Sequence, residues 1–115
     1  AMPVMLMGGT LDEFTLNDLR PLYDGLRPPK YKLEIEGAGH MGFTDICRAG
    51  LDVPELNELC DPARYIDIDR GFELINPFAA AFMRYHLKGE AGMAPYLAPG
   101  YAKTFPEASF TSADR

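Results

Sequence analysis

Pro3-Val4-Met5-Leu6-Met7-Gly8-Gly9-Thr10-Leu11-Asp12 is the stretch that decides the fold. Residues Pro3 to Met7 are continuously apolar and are bounded by Gly8-Gly9. A short apolar run without alternation reads as a strand buried on both faces, as in a parallel sheet. Thr15-Leu16-Asn17-Asp18 supplies helix-start residues, and Leu19, Leu22, Tyr23 and Leu26 then recur at helical spacing. Pro21 limits how early that helix can begin, because proline is tolerated only near a helix start, and Arg27-Pro28-Pro29 ends it. Tyr31, Leu33 and Ile35 alternate with Lys32, Glu34 and Glu36, which predicts a strand with one polar face, near a sheet edge. The fold class is therefore α/β: a βαβ unit with two parallel strands and a right-handed crossover, followed by helices.

Beyond Phe43 the pattern is helical and loop-like. Thr44 or Asp45 can cap a short helix, and Pro54 to Leu59 reads as a brief helical turn. Phe72, Ile75, Phe78, Ala79, Phe82, Met83 and His86 describe one apolar face of a long helix that Gly89 stops. A further short turn is expected over Met93 to Leu97. Residues 98–115 read as a loop-like polar tail, and Ala1 before Met2 reads as a cloning remnant and start.

Two turns carry the candidate chemistry. Asp12 follows the first predicted strand, and His40 follows the second in Gly37-Ala38-Gly39-His40-Met41-Gly42. Both emerge at the carboxyl ends of adjacent parallel strands, where open α/β sheets place their sites. An acid and then a histidine is the second half of the chain order Ser…Asp…His. In that reading Asp12 fixes the imidazole tautomer and His40 acts as general base and then general acid. The plainer alternatives are a turn carboxylate bonding nearby backbone amides and a loop histidine bonding backbone. His86 belongs to the last turn of the long helix, where it suits the C-terminal dipole. A metal site from His40, His86, Asp12 and Asp45 has no supporting ligand spacing.

The nucleophile is missing. No G-x-S-x-G turn occurs in the chain; Ser109 and Ser112 lie in the polar tail, and Cys47 and Cys60 lack elbow glycines. No Gly-rich motif suggests an oxyanion hole. The chain alone is expected to be inactive by the usual serine mechanism.

Composition bounds the rest. At 115 residues the chain has a one-domain length, and it buries roughly two thirds of its unfolded surface. Hydrophobic residues at 47% and charged residues at 24% place it in the globular range. The net charge of -6 argues against nucleic acid or an anionic membrane as partner. No membrane-length apolar stretch and no signal peptide are seen. Cys47 and Cys60 either close a small disulfide ring, stabilising by roughly 3 kcal/mol in a secreted or periplasmic setting, or are free thiols in a cytoplasmic one.

Pro3 to Asp12 resembles the segment that carries the triad acid in α/β-hydrolases. Leu22-Tyr23-Asp24-Gly25-Leu26 is similar to the helix that follows it in bacterial cutinases and polyester hydrolases. Gly37-Ala38-Gly39-His40-Met41-Gly42-Phe43-Thr44-Asp45 is similar to the histidine loop of the dienelactone-hydrolase and platelet-activating-factor acetylhydrolase group. Asn76 to Phe82 and His86 to Glu90 resemble that group's last helix. The resemblance spans residues 3–97. It implies the C-terminal portion of an α/β-hydrolase-fold serine ester hydrolase, with Asp12 as triad acid and His40 as base, and no cofactor. Asp18 falls too far along to be the acid. Phe14 and Met41 are candidate acyl-pocket residues. The family's N-terminal half, with nucleophile, oxyanion hole and most of the sheet, has no counterpart in the chain.

An apolar strand with one open edge is a template for association, and a two-stranded sheet is marginal alone. The expected partners are therefore a complementing N-terminal fragment or a second copy of the chain, with a small acyl ester as substrate once complemented. The competing expectation is a non-catalytic scaffold or interaction module that self-associates through its open edge.

Overall fold

The computed structural model describes residues 1–115, apart from the side chain of Phe14. Its strands are β1 (Val4–Gly9), β2 (Lys30–Ile35) and β3 (Ala108–Ala113). Its helices are α1 (Glu13–Gly25), α2 (Pro54–Leu59), α3 (Ile68–Lys88) and α4 (Pro99–Ala102). Three 3-10 segments, His40–Phe43, Ile46–Arg48 and Ala91–Leu97, occupy the connections.

The βαβ unit forms as the apolar patterns require. β1 and β2 pair in parallel, with Met5 opposite Tyr31, Met7 opposite Leu33 and Gly9 opposite Ile35. The sheet, however, has three strands in the order β1-β2-β3 and is mixed, because β3 pairs antiparallel with β2. This corrects two expectations. Residues 98–115 are not a loop-like tail, and β2 is the central strand rather than an edge. Phe110 drives the change: it pairs with Leu33 on the core face and is buried, while Ser109 and Thr111 point to the other face. One large apolar residue in six is a weak period-two signal.

The polar face of β2 is likewise covered. α1 lies over it, with Leu16, Leu19 and Tyr23 buried. Glu34 is buried there and satisfied by a two-pronged bond from Arg20, with Nη2 to Oε1 at 2.7 Å and Nε to Oε2 at 3.2 Å. The ammonium groups of Lys30 and Lys32 lie 4.6 and 5.2 Å from the Tyr23 ring centroid. The alternating charges on β2 are thus partners for α1.

α1 starts at Glu13, earlier than its Thr15-Leu16-Asn17-Asp18 signal, because Asp12 is its N-cap and accepts from the Thr15 amide. Pro21 consequently sits inside the helix. An interior proline costs about 3 kcal/mol. Burying Leu16, Leu19 and Tyr23 at about 1.5–3 kcal/mol each outweighs that cost.

The other face of the sheet carries the main core. α3 is capped by Asp67 and ends at Gly89, and it buries Leu74, Ile75, Phe78 and Ala81. Phe78 stacks on Phe110 at 5.1 Å between ring centroids and packs beside Tyr101 and Phe105. Met83, expected on the apolar face, is exposed, while Leu74, absent from the predicted face, is fully buried.

β1 has a strand on one side only, and Val4, Met5, Leu6 and Met7 remain half-buried. Among the described residues, no helix is long and apolar enough to cross a membrane.

Candidate functional site

The turns after β1 and β2 interlock, and this brings Asp12 and His40 together. The Thr10 amide donates to the Ile35 carbonyl at 3.1 Å, and the Leu11 amide donates to the Ala38 carbonyl at 3.0 Å. The Thr10 hydroxyl accepts from the Gly37 amide at 2.9 Å. Gly9 is required where the turns cross, since a Cβ there would lie 2.1 Å from the Ala38 oxygen.

Across this junction His40 Nδ1 lies 2.7 Å from Asp12 Oδ2. The Thr15 hydroxyl also approaches Nδ1, at 3.4 Å. The carboxylate is both nearer and charged, so the Nδ1–H donates to Asp12. That assigns the tautomer and leaves Nε2 with its lone pair. Asp12 is 10% exposed and His40 62% exposed at the side chain, so the acid is seated beneath a base that faces outward. Asp12 Oδ1 meanwhile accepts from the Thr15 amide at 3.4 Å as the α1 cap. The turn role and the histidine-orienting role coexist, one on each carboxylate oxygen.

The electrostatics suit an orienting acid. Burial alone would raise the Asp12 carboxyl. Hydrogen bonds from the Thr15 hydroxyl, from His40 and from the Thr15 amide, with the His40 charge, outweigh it and hold the group below the ordinary carboxylate value. The ionised form of Asp12 is thereby favoured.

The pair opens onto a cleft of ≈ 560 Å³. Leu11, Met41 and Leu59 supply apolar lining, and Glu13, Thr15, Arg64 and Tyr65 complete it. Met41 lines this cleft; the side chain of Phe14, the other candidate acyl-pocket residue, lies outside the described residues.

The far wall of the cleft is fastened to the histidine loop at three points. Cys47 and Cys60 form a disulfide, with Cα atoms 5.5 Å apart, rather than two free thiols. The Ile66 amide donates to the Gly37 carbonyl at 2.8 Å. The Tyr65 ring lies over Gly39, where an added Cβ would come within 2.6 Å of it. Leu59, Arg64 and Tyr65 were not anticipated from the sequence. The only linear hint was the second cysteine, Cys60, next to Leu59.

The remaining candidates lie elsewhere. His86 Nε2 is 3.0 Å from the Tyr31 hydroxyl, near the opposite end of β2 from the His40 loop. Desolvation lowers the His86 pKa, against a raising effect of Asp114. His40 and His86 therefore do not share a site, and the described residues contain no group of three His, Cys, Asp or Glu side chains placed to hold a metal ion. Ser109 and Ser112 lie on β3, opposite Glu34 and Tyr31. Neither lines the cleft.

No family model matches the chain, and neither a curated protein nor a solved structure matches it.

Proposed function

We propose that the chain is the C-terminal portion of a serine ester hydrolase of the α/β-hydrolase fold, supplying the acid and the base of its triad. One observation carries the reading: His40 Nδ1 lies 2.7 Å from a recessed Asp12 carboxylate, and both residues line an open cleft. The serine comes from a complementing N-terminal segment. Its hydroxyl proton passes to His40 Nε2 as Oγ attacks the ester carbonyl. Asp12 stabilises the imidazolium, which then protonates the leaving alkoxide. Water repeats the sequence to release the acid.

The free outer edge of β1 is where such a segment adds its strands, since Val4 to Met7 are apolar on both faces but only half-covered. The same edge supports the second reading, a non-catalytic module that self-associates. The disulfide favours an oxidising compartment, hence a secreted or periplasmic protein.

The test is to join the chain to the segment encoded upstream of Met2 and to assay hydrolysis of a short-chain p-nitrophenyl ester. A serine-directed phosphonate should label the joined protein, and His40→Ala should abolish turnover. Turnover that survives His40→Ala rejects the proposed chemistry. No labelling, together with oligomers of the chain alone, favours the scaffold reading.

A further inference from the structure

The Asp12–His40 pair has a third contributor in Thr15, which stands in the first turn of α1. Asp12 is the N-cap of that helix, so the side chain at position 15 lies beside the cap, one turn along. A side chain there commonly reaches back to the cap's own amide. Here the Asp12 amide already donates to the Gly9 carbonyl at 3.1 Å, which leaves the Thr15 side chain free for another partner. Thr15 is half-buried and lines the cleft, and its branched Cβ restricts its rotamers.

The hydroxyl faces both members of the pair. It lies 3.4 Å from His40 Nδ1, the same nitrogen that is 2.7 Å from Asp12 Oδ2. A hydroxyl can accept while it donates its own proton. With the imidazole proton on Nδ1, that nitrogen only donates. The hydroxyl oxygen therefore meets it as an acceptor and turns its proton to the Asp12 carboxylate. Of the hydrogen bonds that lower the Asp12 carboxyl, the one from the Thr15 hydroxyl is the strongest, ahead of His40. The Thr15 amide donates to Oδ1 at 3.4 Å. Both donors of one residue thus fix the carboxylate, and Oδ2 stays turned to the imidazole.

We propose that Thr15 is a positioning residue, whose hydroxyl locks the Asp12 carboxylate in the orientation that keeps the His40 proton on Nδ1. The consequence for turnover rests on the ester-hydrolase reading of the same pair. A carboxylate held by one long amide bond alone can swing about its Cβ–Cγ bond and share its oxygens with water. A second donor removes that freedom before any substrate arrives.

The test uses the 115-residue chain itself, labelled with ¹⁵N. Thr15→Val keeps the branched shape and the amide but removes the hydroxyl, and Thr15→Ser keeps the hydroxyl. At about pH 9, where imidazole is neutral, long-range ¹H–¹⁵N correlation reads the ratio of Nδ1–H to Nε2–H on His40. Thr15→Val should lower that ratio by about threefold to tenfold. Thr15→Ser should hold it near the parent value. Hydrogen exchange along α1 should be the same in all three chains, since the cap amide remains. In the complemented enzyme Thr15→Val should lower kcat by roughly tenfold with KM unchanged. An unchanged ratio in Thr15→Val, a Thr15→Ser chain that behaves like Thr15→Val, a fall accompanied by faster exchange along α1, or turnover indifferent to Thr15→Val overturns the assignment. The hydrolase reading fails separately, through turnover that tolerates His40→Ala.

Discussion

His40 Nδ1 and Asp12 Oδ2 stand 2.7 Å apart although 28 residues separate them in sequence. Asp12 also caps α1, so its two jobs can be separated by substitution. Asn caps a helix about as well as Asp. Asp12→Asn should therefore keep the cap and lose less thermal stability than Asp12→Ala, while lowering turnover of the complemented enzyme by on the order of 10³–10⁴-fold. Asp12→Ala should lose the same turnover and also about 1 kcal/mol of stability. Circular-dichroism melts beside ester assays read both effects.

Gly39 and Tyr65 should behave as a coupled pair. A Cβ at position 39 would meet the Tyr65 ring at 2.6 Å, and a ring seated on a loop cannot swing aside freely. Gly39→Ala should destabilise by about 1–3 kcal/mol. In a double-mutant cycle with Tyr65→Ala, much of that penalty should vanish. Additive losses would mean that the ring does not bear on the loop.

The disulfide spans 13 residues, a loop whose closure is worth about 3 kcal/mol in the unfolded chain. Replacing both cysteines by serine should lower unfolding stability by about that amount, and chemical reduction should match the double variant. Denaturant titration checks both.

Acid stability should depend on Glu34. The Arg20 hydrogen bond is the leading cause that holds its carboxyl below the ordinary value, opposed by burial and helped by Lys32. A depressed folded value means that the unfolded chain binds the proton more readily. The stabilisation is then full above the unfolded value of about 4.5 and is lost as pH falls from there through the folded one. Glu34→Gln should flatten the stability profile below about pH 5 and cost about 1–2 kcal/mol at neutral pH, because Arg20 is half-exposed and partly screened. Urea unfolding at a series of pH values measures the slope.

Legibility in the sequence followed the strength of the local signal. The continuous run Val4-Met5-Leu6-Met7 and the alternation Tyr31-Leu33-Ile35 marked β1 and β2, and the strand-end positions of Asp12 and His40 followed from their parallel pairing. β3 was hidden because its pairing with β2 is long-range and Phe110 alone carries its burial. α1 starts before its Thr15-Leu16-Asn17-Asp18 signal because one residue, Asp12, both contacts His40 and caps the helix. Arg64 and Tyr65 were invisible for a different reason: their approach to Gly39 depends on how the segment folds back after Cys60.

The tautomer of His40 is the most direct probe. In a uniformly ¹⁵N-labelled chain at about pH 9, where imidazole is neutral, long-range ¹H–¹⁵N correlation should find the proton on Nδ1 and Nε2 bare. Asp12→Asn should abolish that preference. A proton found on Nε2, or a tautomer ratio indifferent to position 12, would show that the carboxylate does not orient this histidine and that the proposed base is not one.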